Sequence, residues 1–239
     1  MNISPSKPVI VALDFATEKQ ACQTMDLLDP ALCRIKIGKE LFTSTGPVIV
    51  RRAIDAGFDV FLDLKYHDIP NTVAGACSAA ADLGCWMINL HASGGRAMME
   101  TASERLSHHR ERPMTVAVTV LTSLDEAAIN EVGYTETIAA LVVRLAALSQ
   151  DCGLDGVVCS TYEIESIRHR CGEQFVTVTP GVRPKNSGSD DQRRVATPAQ
   201  ALAAGADFLV IGRPITQAEN CAAALQRIYS ELPVSRSLT

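Results

Sequence analysis

The sequence predicts an α/β chain folded as a single-domain (β/α)8 TIM barrel over residues 1–239. Eight short, β-rich apolar runs alternate with longer helical patterns from one end to the other. The runs are almost continuously apolar, as parallel strands are when helices cover them. The rival, an open doubly wound sheet, usually carries a Gly-rich turn after its first strand, and Asp14-Phe15-Ala16-Thr17 is nothing of the kind. A length of 239 residues is close to that of such barrels.

The predicted strands are 8–14, 32–37, 58–64, 85–91, 113–121, 154–160, 174–179 and 207–212. Between them, Thr17-Glu18-Lys19-Gln20 reads as a capping box at a helix start. Pro70 with Val73, Ala76, Cys77, Ala80 and Ala81 forms an apolar stripe at helical spacing, closed by Gly84. Ile138, Leu141, Val142, Leu145 and Leu148 form another. Thr197-Pro198 is a cap followed by proline at the first helical position, and Gly205 ends that helix. The only long polar insert is 183–198, expected to be a binding or closing loop and not a domain boundary.

Composition excludes several classes. An apolar fraction of 47% with 21% charged residues fits a globular chain with a sizeable core. A net charge of −5 with no Lys/Arg-rich run argues against a nucleic-acid surface, so an anionic ligand would be held by a few local groups. No run approaches 18 apolar residues, and MNISPSKP lacks a signal-peptide layout; no membrane role and a cytoplasmic location are expected. The eight cysteines are scattered without a Cys-x-x-Cys pair and read as small core hydrophobes. No two histidines are spaced as metal ligands, so no metal is expected. His67 reads as a loop or packing residue and His91 as a hydrogen-bonded one; His108, His109 and His169 read as surface residues.

Barrel chemistry sits at the C-terminal ends of the strands. Those ends carry Asp14; Lys36; Asp63, Lys65 and Asp68; His91; Thr122 and Ser123; Ser160; Pro180 to Arg183; and Gly212-Arg213. Gly212 allows close backbone approach, Arg213 opens a helix with a guanidinium fork, and Arg183 can approach from the other side. That combination predicts a phosphate site. Alternation puts Asp63 and Lys65 on the lumen side of the third strand, where a carboxylate beside an ammonium is more readily catalytic than inert.

The motif Asp63-x-Lys65-x-x-Asp68-Ile69-Pro70-x-Thr72 resembles that of the bacterial orotidine 5′-phosphate decarboxylase family. So do Lys36-Ile37-Gly38 upstream and Thr179-Pro180-Gly181-Val182-Arg183-Pro184, Asp191-Gln192-Arg193-Arg194 and Val210 to Thr216 downstream. The resemblance runs from Val11 to about residue 228. It implies a cofactor-independent enzyme of pyrimidine biosynthesis in which Lys65 protonates C6 of the pyrimidine after CO2 leaves. Lys36, Asp63, Lys65 and Asp68 would form an alternating charge network, with Asp68 and Thr72 reaching the partner's site in a homodimer. Asp14 and Lys36 would hold ribose hydroxyls, Thr122 and Ser123 the pyrimidine edge, and Arg183, Gln192, Gly212 and Arg213 the phosphate. Ile69 and Pro180 complete the implied substrate contacts. Two alternatives stay open: a magnesium-dependent sugar-phosphate decarboxylase or aldolase on the same barrel, and a phosphate-ligand binding barrel without catalysis.

Overall fold

Period-two alternation sorts the strands of this chain into two faces, one toward the barrel lumen and one toward the helices. The computed structural model describes residues 7–184 and 196–232. Eight parallel strands pair in sequence order and close on themselves: β1 (Val9–Leu13), β2 (Arg34–Gly38), β3 (Val60–Tyr66), β4 (Met87–His91), β5 (Met114–Val118), β6 (Gly156–Val158), β7 (Val176–Thr179) and β8 (Phe208–Ile211). Around them run α1 (Glu18–Met25), α2 (Lys39–Thr45), α3 (Val48–Asp55), α4 (Pro70–Asp82), α5 (Arg96–Ser107), α6 (Glu126–Glu131), α7 (Ile138–Asp151), α8 (Ile164–Cys171), α9 (Pro198–Ala203), α10 (Arg213–Thr216) and α11 (Cys221–Glu231). All eight predicted strands are present, most of them shortened at the ends. β6 keeps only three residues and β5 stops at Val118, whereas β3 runs two residues beyond its prediction.

Ile10, Ala12, Phe61, Met87, Val116, Val178 and Phe208 form a core cluster of their own inside the barrel. Their strand neighbours Val9, Val11, Leu62, Ile88 and Leu209 belong to the larger cluster under the helices. Glycine is required at Gly156, since a methyl group there would collide with the Val176 carbonyl of the adjacent strand. At the strand starts, the Arg34 guanidinium lies 4.3 Å from the Trp86 ring centroid and 5.2 Å from that of Phe208, closing the lumen with cation–π contacts.

The same N-terminal end carries three aspartates just ahead of β3, β6 and β8. Asp59 lies 3.2 Å from Arg34 Nε and 3.1 Å from Lys7 Nζ. Asp155 accepts both Arg112 Nη groups, at 2.8 and 2.6 Å, and the Thr115 amide at 2.7 Å. Asp207 accepts Arg168 Nη2 at 2.6 Å and the Thr177 amide at 2.7 Å.

The helix signals resolve with small differences. Thr197 caps α9 as predicted, and the cap extends to a reciprocal box in which Gln200 Oε1 accepts the Thr197 amide and Thr197 Oγ1 accepts the Gln200 amide. At α1 the box is half formed: Gln20 N–H donates to Thr17 Oγ1, but the Gln20 side chain accepts from that hydroxyl (2.8 Å) and leaves the Thr17 amide. A hydroxyl donates and accepts at once, so the local pair satisfies itself. In α4 the buried stripe is Val73, Ala74, Cys77, Ala80 and Ala81, with Ala74 in place of Ala76. All eight cysteines are buried free thiols. Burial pushes Cys33, Cys77 and Cys85 up to about 12, far from thiolate chemistry. His109 is not a surface residue: it is partly buried and shares a 2.8 Å hydrogen bond with Ser78, because α5 ends against α4. At the base of the polar insert, Val182 just before it and Ala196 within it form a parallel bridge; Gln192 and the rest of 185–195 lie outside the described residues. Among the described residues no helix is long and apolar enough to cross a membrane.

Candidate active site

A cavity of about 590 Å³ opens at the C-terminal ends of the strands. Ten residues singled out in the sequence line it: Asp14, Lys36, Asp63, Lys65, Thr122, Ser123, Pro180, Arg183, Gly212 and Arg213. They come from every strand end except those of β4 and β6, whose predicted rim residues His91 and Ser160 stand outside the lining.

The charged half is built by β1, β2 and β3. The row runs Asp14, Lys36, Asp63, Lys65, with Lys36 Nζ 2.9 Å from Asp14 Oδ1 and 3.2 Å from Asp63 Oδ2, and Lys65 Nζ 2.6 Å from Asp63 Oδ1. Burial alone would push the Asp63 carboxyl up; Lys36, Lys65 and Asn89 outweigh it and hold the group below its usual range. Burial likewise pulls Lys36 down, yet Asp63 and Asp14 hold it above its ordinary value. Gly38 leaves room for this row, since a methyl there would press Lys36 Nζ at 3.2 Å and Asp14 Oδ1 at 3.3 Å.

Lys65 does not sit on a regular strand. The β3–β4 register runs Leu62 to Ile88 and then Tyr66 to Leu90, so three residues of β3 oppose Asn89 alone. Lys65 takes φ +51 in this bulge, the only positive φ among described non-glycine residues. Its amide donates to Asn89 Oδ1 (2.8 Å), and Asn89 Nδ2 donates to Asp63 Oδ1 (2.6 Å). Sequence reading missed Asn89, although alternation along β4 places it on the lumen face. It also missed Gln217, one turn beyond Arg213, which lines the cavity.

The other half is loop and helix start. Thr122 and Ser123 follow β5, Pro180 to Arg183 follow β7, and Gly212-Arg213 lead from β8 into α10. Arg183 is nearly buried, and its amide donates to the Ala196 carbonyl at 2.9 Å. Phe61, Val118, Val158 and Val210 supply an apolar bed between the two halves.

Three singled-out residues stand apart from this cavity. Asp68, Ile69 and Thr72 lie past β3 at the entrance to α4, exposed on the surface, with Ile69 at 68% exposure. Asp68 Oδ1 accepts the Ile69 amide at 2.6 Å. The His67 and His91 rings lie with centroids 5.4 Å apart and planes tilted by 35°. Burial, then the charges of His67, Lys39 and Lys65, pushes His91 down to about 4.

Comparison with known proteins gives these features a lineage. A family model described as orotidine 5′-phosphate decarboxylase / HUMPS family matches residues 7–228. An orotidine 5′-phosphate decarboxylase of Saccharophagus degradans is 53% identical over 232 residues, covering 97% of each chain. That of Chromobacterium violaceum is 55% identical over 229 residues, covering 96% of this chain and 93% of its own. Among solved structures, the orotidine 5′-phosphate decarboxylase of Lactobacillus acidophilus superposes with a TM-score of 0.83 at 36% identity, covering 95% of this chain and all of that one. With the match spanning nearly the whole barrel and both halves of the cavity, the chain belongs to the orotidine 5′-phosphate decarboxylase / HUMPS family.

Proposed function

We propose that the cavity binds orotidine 5′-phosphate and that Lys65 is the acid that completes its decarboxylation. The chain converts orotidine 5′-phosphate to uridine 5′-phosphate with release of CO2, a step in pyrimidine biosynthesis. The observation that carries the residue assignment is the unbroken row Asp14, Lys36, Asp63, Lys65 on one wall of the cavity.

Breaking the bond from C6 to the carboxylate leaves the electron pair on C6, with no adjacent π-system to spread it. A fixed cation is then the available stabiliser, and it acts at its strongest where water is excluded. Lys65 supplies that charge and transfers a proton to C6, regaining one from solvent after product leaves. Asp63, held ionised between two ammonium groups, aims Lys65. Asp14 and Lys36 take the ribose hydroxyls, and Thr122 and Ser123 the pyrimidine edge beside Pro180. Arg183, Gly212, Arg213 and Gln192 take the phosphate. The 183–198 segment closes over it, so that binding energy remote from C6 is expressed in turnover.

The exposure of Asp68, Ile69 and Thr72 away from their own cavity supports a homodimer in which each chain completes its partner's site. Mixing inactive Lys65→Ala and Asp68→Ala chains tests this. Random pairing restores about a quarter of the native sites, because half the dimers are mixed and each holds one intact site; no recovery removes the shared-site reading. A biosynthetic enzyme of this kind is placed in the cytoplasm. The activity is tested by following the absorbance of orotidine 5′-phosphate with EDTA present. Full turnover in EDTA supports the reading, metal-dependent turnover favours the magnesium chemistry, and tight binding without turnover favours a binding barrel.

A further inference from the structure

We infer that Asn89 is the positioning residue that holds Lys65 in register for proton transfer; this rests on the proposed role of Lys65. The bulge in β3 costs the Lys65 amide a regular ladder partner on β4, since Leu62 and Tyr66 resume pairing on either side of it. Asn89 fills that gap from the opposite strand, accepting the amide at 2.8 Å, while its NH2 group donates to Asp63 Oδ1 at 2.6 Å. The carboxylate oxygen it touches is the one that receives Lys65 Nζ. Asn89 therefore grips the Asp63 and Lys65 unit at two points, by the backbone of one residue and the side chain of the other.

The carboxamide satisfies both contacts at once, accepting with its oxygen and donating with its NH2 group. The amide orientation is unique, because a flip would set oxygen against the Asp63 carboxylate and NH2 against an N–H donor. Asn89 is fully buried and does not line the cavity, so its influence reaches substrate only through Lys65 and Asp63. The left-handed backbone of Lys65, unfavourable for a residue with a Cβ, is the conformation this grip maintains. Released, Lys65 would relax toward ordinary strand geometry and carry its ammonium off the reacting carbon.

The test uses the full chain and measures kcat, KM and the affinity and stoichiometry for uridine 5′-phosphate in Asn89→Ala, beside wild type and Lys65→Ala. The expected result is a kcat lower by about 10²-fold, with product affinity within about threefold and one site per chain. A merely structural role would lower the number of competent sites or weaken binding and turnover together, and that result overturns the inference. So does a kcat within about threefold of wild type. If Lys65→Ala stays active, the role of Lys65 fails first and takes the inference with it; if only Asn89→Ala stays active, the inference alone fails. Should the alanine chain not fold, Asn89→Asp decides. Position 89 is faced by Asp63 with Lys36 behind it and by Lys65, and His91 follows two residues on. A neutral carboxyl can donate and accept as the amide does, whereas a carboxylate cannot donate to Asp63. The kcat of Asn89→Asp relative to wild type thus rises by about tenfold or more from about pH 8 to about pH 5. A flat ratio overturns the positioning role.

Discussion

The two ends of this barrel are both ringed by carboxylates paired with cations, and the pairs differ in what they face. At the N-terminal end, Asp155 is met by both arms of the Arg112 fork and Asp207 by one Arg168 nitrogen, each together with a backbone amide of the neighbouring strand, which leaves their charge committed to the scaffold. At the C-terminal end, Asp63 is met by two lysines whose ammonium groups line a cavity. An arginine fork saturates a carboxylate with fixed geometry, whereas a lysine is a point charge with donors to spare. The same ingredients therefore build a clamp at one end and a reactive array at the other.

That contrast breaks most sharply at Lys65. Lys65→Ala should lower turnover by several orders of magnitude with an unchanged circular dichroism spectrum, as for a group acting only in the transition state. At the opposite end, Asp207→Ala should cost about 2 kcal/mol in denaturant unfolding, because it takes the carboxylate from Arg168 and the Thr177 amide and leaves Arg168 its carbonyl partners, while kcat per folded chain stays at the wild-type value. Arg213→Ala should raise KM by about thirtyfold, the equivalent of about 2 kcal/mol for one charge-assisted contact, with little change in kcat. An unchanged KM would move the phosphate elsewhere.

The smallest effect concerns pH. The folded chain keeps His91 neutral down to about pH 4, whereas the unfolded chain protonates it near 6.5. Its stabilising contribution is complete above about pH 6.5 and is lost progressively as the pH falls toward 4. His91 is only partly buried, so the loss at pH 5 is discounted to about 1 kcal/mol. Melting curves of His91→Asn should fall less steeply than wild type across that window. Parallel curves would assign the acid slope to other groups.

How much of this was legible in the sequence follows from the same physics. The eight strands were readable because both of their faces are apolar, and Lys36 and Asp63 because a charge interrupting such a run at its C-terminal end is conspicuous. Alternation correctly placed Lys65 at the cavity but for an incomplete reason, since the bulge, and not regular pleating, sets its position. A bulge depends on the register of two strands distant in sequence, and no local pattern encodes it. Asn89 escaped for the same reason: in Met-Ile-Asn-Leu-His it is a single polar residue whose partners lie 24 and 26 positions away. The shortness of β6 was equally hidden, while Gly156, where a methyl group would collide with the neighbouring strand, gave no periodic signal.

The Arg34 seal over Trp86 and Phe208 turns the barrel into a blind well. Beneath the cavity lie Ile10, Phe61, Met87, Val116 and Phe208, none more than 2% exposed, so among the described residues these side chains fill the axis. With orotidine 5′-phosphate bound as proposed, substrate, gas and nucleotide product would share the mouth of the cavity, and carbon dioxide would leave past the nucleotide. Traffic through this enzyme is consequently governed at the rim alone. Changes at the floor should shorten the life of the fold without altering the order in which the products depart.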